Sequence, residues 1–135
     1  MKYYLLASFS VWERFRRAFI VQDRWKLYLE GLRNTLIIAG IAALIGILLG
    51  VLCAMVNYIH KKNGKLRVPA VICRLYITLV RGTPVVLQLM ILYFVVFVSW
   101  KNGIMIGAIT FGINSGAYVA EIARAGFESV DDGQM

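Results

Sequence analysis

Apolar residues along the chain gather into long charge-free windows, and the lengths of these windows predict its elements. The first runs from Asn34 to Ile59, between Arg33 and the His60-Lys61-Lys62 cluster; the second covers Gly82 to Trp100, and the third Asn102 to Ala120. A bilayer core about 30 Å thick is crossed by about 20 apolar residues at about 1.5 Å of rise each, so every window has the length of a spanning helix. Lys101 alone separates the second window from the third, which predicts a hairpin with a very short turn.

Small residues mark faces within these windows. Ala42, Gly46, Gly50 and Ala54 recur every four residues in the first, and Ala108, Gly112, Gly116 and Ala120 do so in the third. Such a stripe lets another helix approach closely, which matters in lipid because hydrophobicity gives helices no drive to associate there. Thr110, Asn114, Tyr118 and Glu121 are expected on a second, polar face of the third window at about 100° per residue. Polar groups at membrane depth face protein or a watery cavity.

Outside the windows the pattern changes. Trp12 to Leu32 mixes aromatic and basic residues and reads either as an amphipathic helix at the lipid headgroups or as a solvated lead-in, with Gly31 and an N-capping Asn34 opening the first span. Lys61 to Arg67 is a basic loop with a turn signal at Asn63-Gly64. Val68 to Val80 is too short to cross alone and is interrupted by Arg74, so it is expected at the interface or as a helix leading into the second span. At Arg81-Gly82-Thr83-Pro84 a break is predicted, since proline disfavours helical geometry before it and donates no backbone hydrogen bond. The fold expected is an all-α, polytopic membrane protein, with residues 1–33 as an N-terminal interfacial segment and 34–135 as a membrane domain with spans at about 34–59, 82–100 and 102–120.

Composition agrees with lipid as the solvent: 60% of the 135 residues are hydrophobic and 16% charged, against about 25% charged in an ordinary soluble domain. The net charge of +8 comes from basic residues flanking apolar windows, which fits membrane anchoring and not nucleic-acid binding. Residues 1–22 contain Glu13, Arg14, Arg16 and Arg17 and no long apolar run, so no cleavable signal is expected. Cys53 and Cys73 lack metal or redox spacing and read as buried structural thiols, while His60 and the aromatics Tyr58 and Trp100 read as boundary residues. No phosphate cradle, HExxH or GxSxG motif is present, so no enzyme, cofactor or metal site is expected.

The motif Arg81-Gly82-Thr83-Pro84 with Gln88 and Asn114, followed by Ala117 to Phe127 (AYVAEIARAGF) and Ser129 to Gln134 (SVDDGQ), resembles the permease subunits of ABC importers for histidine, glutamine, glutamate and arginine. The resemblance runs from about Leu29 to the end. It implies about five spanning helices, of which three are present, and a cytoplasmic Glu-Ala-Ala loop after the Gly-Gln pair, before which this sequence ends. It further implies a multi-pass protein of the bacterial inner membrane, paired as a homo- or heterodimer, partnered by ATPase subunits and an extracytoplasmic binding protein. The alternative is a small self-standing helical membrane protein forming a pore or scaffold.

Asn114, Tyr118, Glu121 and Gln88 are candidates for a solute path, because a zwitterion needs hydrogen-bond partners and a negative group for its ammonium end; the same groups could equally serve as interhelical hydrogen bonds. Residues Arg81, Gly82, Thr83 and Pro84 are a candidate gate or a structural bend. Arg124, Gly126, Gly133 and Gln134 would form the entry to the coupling loop. Basic residues number six over 60–81 and seven over 1–33, so charge leaves orientation open, and the resemblance implies the N-terminus outside. Arg81 lies 20 residues before Lys101 and Glu121 lies 20 after it, so an antiparallel pair of helices is expected to bring the two charges together.

Overall fold

The computed structural model describes residues 10–100 and 102–129, and these form helices joined by short turns with no strand among them. Five α-helices follow in order: α1 (Val11–Phe19), α2 (Trp25–Asn63), α3 (Arg67–Gly82), α4 (Val85–Ile91) and α5 (Gly103–Glu128). A π-helical turn over Leu92–Val96 continues α4. The chain divides into two compact units at Leu36 and Ile37. Lys101, on which the expected hairpin turn falls, lies outside the described residues.

In the first unit Ser10 caps α1 by accepting from the Glu13 amide at 3.3 Å. The aromatics of α1 form a ladder, with ring centroids 5.9 Å apart for Trp12 and Phe15 and 4.8 Å for Phe15 and Phe19. Phe19 then stacks on Tyr28 at 4.8 Å. Trp12 to Leu32, read as an amphipathic helix or a solvated lead-in, is helical but not one helix, because Gln22 and Asp23 take left-handed φ of 60° and 56°. The helix resumes at Trp25 and runs unbroken through Gly31 and Asn34. Asn34 is therefore an interior residue and not the N-cap. The segment upstream of it is itself helix-forming, and the chain reversal that starts the helix falls at Gln22-Asp23.

At 39 residues α2 is about 58 Å long, well over the thickness of a bilayer core. It ends at a helix stop: Gly64, at φ +66°, donates its amide to the His60 carbonyl at 2.9 Å. The Asn63-Gly64 signal is thus the C-cap of α2. The Nδ1–H tautomer of His60 completes this end by donating to the Lys65 carbonyl at 3.0 Å.

The second unit is organised by the two small-residue stripes, which meet. Ala42, Gly46, Gly50 and Ala54 of α2 are buried, as are Ala108, Gly112, Gly116 and Ala120 of α5. A Cβ on Gly50 would lie 2.6 Å from Val119 Cβ and 2.9 Å from the Gly116 carbonyl oxygen. One on Gly112 would lie 2.7 Å from Ile45 Cβ. At Gly50 the Gly116 backbone and at Gly112 the Ile45 side chain fill the space a Cβ would need, so neither glycine can take a side chain without a shift of the seam. Beside this seam α3 packs through Ala70, Cys73 and Ile77, and the free thiols of Cys53 and Cys73 share a buried cluster with Ile77 and Ala120.

Both α2 and α5 are long and apolar enough to cross a membrane. The apolar window 82–100 does not form one straight helix. Its helical part is shared between α4 and the π-helical turn, and α3 bends by 106° into the Val85–Val96 segment at Thr83-Pro84. The bent pair supplies a third crossing if it is counted as one span. Proline is the physical reason, since its ring excludes the helical geometry of Thr83, which lies at φ −120° and ψ 144°.

Leucine in place of Gly50 or Gly112 is expected to lower unfolding stability in detergent by about 1–3 kcal/mol, the range for overpacking a tight contact. Leu48→Phe, at a position 72% exposed, should change it by less than about 0.5 kcal/mol. Circular-dichroism melts of the three variants would measure this, and equal losses at all three would contradict the seam.

Candidate helix break and ion-pair network

Pro84 cannot donate an amide hydrogen, so the carbonyl of Val80, four residues earlier, loses its helical partner. The side chain of Gln88 replaces it: the two hydrogens of Nε2 are shared among the Val80 carbonyl at 2.8 Å, Thr83 Oγ1 at 2.8 Å and the Thr83 carbonyl at 3.1 Å. Thr83 Oγ1 in turn donates to the Leu79 carbonyl at 2.9 Å. One amide therefore stitches the end of α3 to the start of α4. Its position follows from helical geometry, because Gln88 sits one turn into α4, where its own backbone amide donates to the Pro84 carbonyl at 3.2 Å.

The other end of the same side chain meets α5. Asn114 Nδ2 donates to Gln88 Oε1 at 3.4 Å, so two of the residues singled out in the sequence are adjacent. Tyr76 contributes a contact that sequence reasoning missed, with its hydroxyl donating to the Ile113 carbonyl at 2.6 Å. The available signal was a tyrosine within an apolar run, whose hydroxyl must find a partner when half-buried. Thr110 departs from the expected polar face. It is 1% exposed and returns its hydroxyl to the Ile106 carbonyl at 2.7 Å, so it is part of the packed side of α5.

Arg81 and Glu121 come together as the hairpin arithmetic predicted, with Arg81 Nη1 and Glu121 Oε2 3.7 Å apart. The closer partner of Glu121 is Arg124, at 2.6 Å. Arg124 also binds Glu128 at 2.8 Å, and Glu128 holds Lys61 of α2 at 3.0 Å. The chain of charges Arg81, Glu121, Arg124, Glu128 and Lys61 thus links α3, α5 and the end of α2. Sequence reasoning had no sign of the Lys61 pairing, which spans 67 residues. The Arg81 guanidinium also lies 5.4 Å from the centre of the Tyr118 ring, which places Tyr118 beside the network.

The remaining candidates are dispersed. Gly82 is the last residue of α3, and a side chain there would enter open space, so Pro84 and not Gly82 explains the break. Gly126 is exposed in the last turn of α5, where its carbonyl accepts from Ser129 Oγ at 2.8 Å. Gly133 and Gln134 lie outside the described residues. Among the described residues no cluster of histidine, cysteine or carboxylate could hold a metal ion.

Residues 28–135 match the family described as the binding-protein-dependent transport system inner membrane component. The chain belongs to that family. It is 40% identical over 110 residues to a protein of Rickettsia prowazekii described as a candidate glutamine transport system permease, an alignment covering 79% of this chain and 48% of the relative. The corresponding protein of Rickettsia bellii is 42% identical over 109 residues, covering 78% and 48%. The arginine transport system permease protein of Bacillus subtilis is 39% identical over 111 residues, again covering 78% and 48%. No solved structure matches at a significant level. The chain therefore spans about half the length of these permeases, and it is a multi-pass membrane protein of a transport family.

Two outcomes test this geometry. Gln88→Leu removes the replacement donor at the break and should cost about 0.6–1.7 kcal/mol, the range for hydrogen bonds between membrane helices. Hydrogen exchange at the amides following Pro84 should rise in the same variant, and unchanged exchange would contradict the stitch. In double-mutant cycles, Glu121 should couple more strongly to Arg124 than to Arg81, in line with 2.6 Å against 3.7 Å. The reverse order would remove Arg124 from the centre of the network.

Proposed function

We propose that the chain is the N-terminal part of a permease subunit in an ATP-driven importer, contributing to the membrane path of a polar amino acid. The observation that carries this reading is the family match over residues 28–135, on which both a glutamine and an arginine permease fall among the relatives. In this reading residues 34–135 are part of the transmembrane domain and 1–33 form an interfacial lead. The protein resides in the bacterial inner membrane with its N-terminus outside and Lys61 to Arg67 in the cytoplasm, and pairs as a dimer.

The solute path is assigned to Gln88, Asn114, Tyr118 and Glu121, with Arg81, Gly82, Thr83 and Pro84 as the gate. Support comes from the chemistry of Gln88, whose side chain both donates to the carbonyls at the break and accepts from Asn114. A passing amide or ammonium group offers the same donors that these carbonyls require, so solute and Gln88 can exchange places at little net cost. In this reading Glu121 exchanges its pairing with Arg81 and Arg124 for an ammonium end of the solute. Arg124 and Gly126, with Gly133 and Gln134 beyond them, lead toward the ATPase subunits, which hydrolyse ATP in this reading. An extracytoplasmic binding protein delivers the solute.

The first step of the test is to read the encoding DNA past Met135 for a Glu-Ala-Ala loop and further apolar spans, and nearby for an ATPase gene. The full-length permease, reconstituted with its ATPase and binding protein, is then expected to take up labelled glutamine or arginine only with ATP. Gln88→Leu should reduce that uptake by about tenfold, since 1.4 kcal/mol at a barrier is a factor of ten. Uptake without ATP or binding protein would instead support a self-standing pore.

A further inference from the structure

Where α2, α3 and α5 approach the basic end of α2, they enclose a cleft of about 430 Å³. Each helix presents a strip to it: Asn57 and Lys61 from α2, Arg74 from α3, and Glu121, Arg124 and Glu128 from α5. The lining carries three cations and two carboxylates, an excess of one positive charge. Both carboxylates are occupied, Glu121 by Arg124 and Arg81, and Glu128 by Lys61 and Arg124. Arg74 alone among these lining cations has no carboxylate within ion-pair distance in the described residues.

Asn57 supplies an independent observation. Its side chain lines the cleft, the residue is only 7% exposed, and its Oδ1 has no hydrogen-bond partner among the described residues. A buried acceptor without a donor is costly, and such groups are rare in folded proteins. The cleft thus calls for a ligand that brings an anion to Arg74 and a hydrogen-bond donor to Asn57. Its level in the membrane narrows the source. Asn57 precedes Tyr58 and the Lys61-Lys62 pair, the aromatic and basic residues that mark headgroup depth.

We propose that this cleft binds the headgroup of an anionic glycerophospholipid, with the phosphodiester on Arg74 and a headgroup hydroxyl donating to Asn57 Oδ1, which is buried in this structure and turns into the cleft on binding. Basic pockets between membrane helices at headgroup depth recognise anionic lipids by this combination of charge and hydrogen bonding. Phosphatidylglycerol has both features. Phosphatidylethanolamine has the donor without net charge, and phosphatidylcholine has neither, so the three lipids separate the two contacts. The bound lipid would tie α3 to α2 and α5 at the end of the ion-pair network.

The test uses the protein at its full encoded length in neutral detergent, with native mass spectrometry of retained lipid and thermal unfolding as readouts. Phosphatidylglycerol should be retained about fivefold over phosphatidylcholine, the effect of one basic residue near an anionic surface, with phosphatidylethanolamine between them. Arg74→Gln should abolish the preference for phosphatidylglycerol over phosphatidylethanolamine. Asn57→Leu removes the orphaned acceptor, so it should unfold no earlier than the parent in phosphatidylcholine yet lose the advantage of phosphatidylethanolamine over phosphatidylcholine. Lys62→Gln, outside the cleft lining, should leave the order intact. Equal retention of all three lipids by the parent chain overturns the proposal, and this comparison holds even if a variant fails to fold. Displacement of the lipid by free glycerol phosphate at equal concentration would also overturn it, by showing a soluble phosphate ester as the ligand.

Discussion

The second unit depends on the contact of two glycine and alanine stripes, one on α2 and one on α5. In lipid there is no hydrophobic gain from bringing apolar helices together, so close packing and interhelical hydrogen bonds must hold them. Gly46, Gly50, Gly112 and Gly116 allow that closeness, and Ser115 adds a hydrogen bond at 3.5 Å to the Ala42 carbonyl across the seam. The rest follows from this approach. With α5 held against α2, its side faces fix the positions of Tyr76 and Gln88 through Ile113 and Asn114.

Around that seam the polar groups fall into two sets. At the Pro84 break, uncharged amide and hydroxyl groups satisfy carbonyls that the proline leaves open. At the basic end of α2, charged groups join three helices. Arg81 connects the two sets, since it lies between Val80 and Thr83 at the break and pairs with Glu121 in the network. Glu121 and Arg81 are each more than a third exposed at the side chain, so their pairing organises the helices more than it stabilises them.

The cleft at that end adds a constraint on how the helices are held. Its cations and carboxylates nearly balance, and the imbalance falls on Arg74, on the helix that bends at Thr83-Pro84. A ligand on Arg74 would therefore act on the element that carries the break. The proposed lipid contact and the helix break thus lie along one helix, α3, and its contacts with α5.

The sequence by itself determined the apolar windows, both small-residue stripes, the proline break and the meeting of Arg81 with Glu121, because each depends on local period, chain length or the missing amide of proline. It also carried the family, through a run of residues near the end of α5. Only the tertiary structure decided that the stripes face each other, that Gln88 replaces the lost donor of Val80, that Thr110 is packed and that Arg124 outcompetes Arg81 for Glu121. The continuity of α2 through Asn34 and the 106° bend were likewise beyond local reading. Asn34 has the right residue type for a cap, yet capping depends on where the backbone leaves helical geometry, and here that point is Gln22-Asp23. The Lys61 to Glu128 pair shows the general reason: partners 67 residues apart are selected by how helices pack, and no period along the chain records that choice.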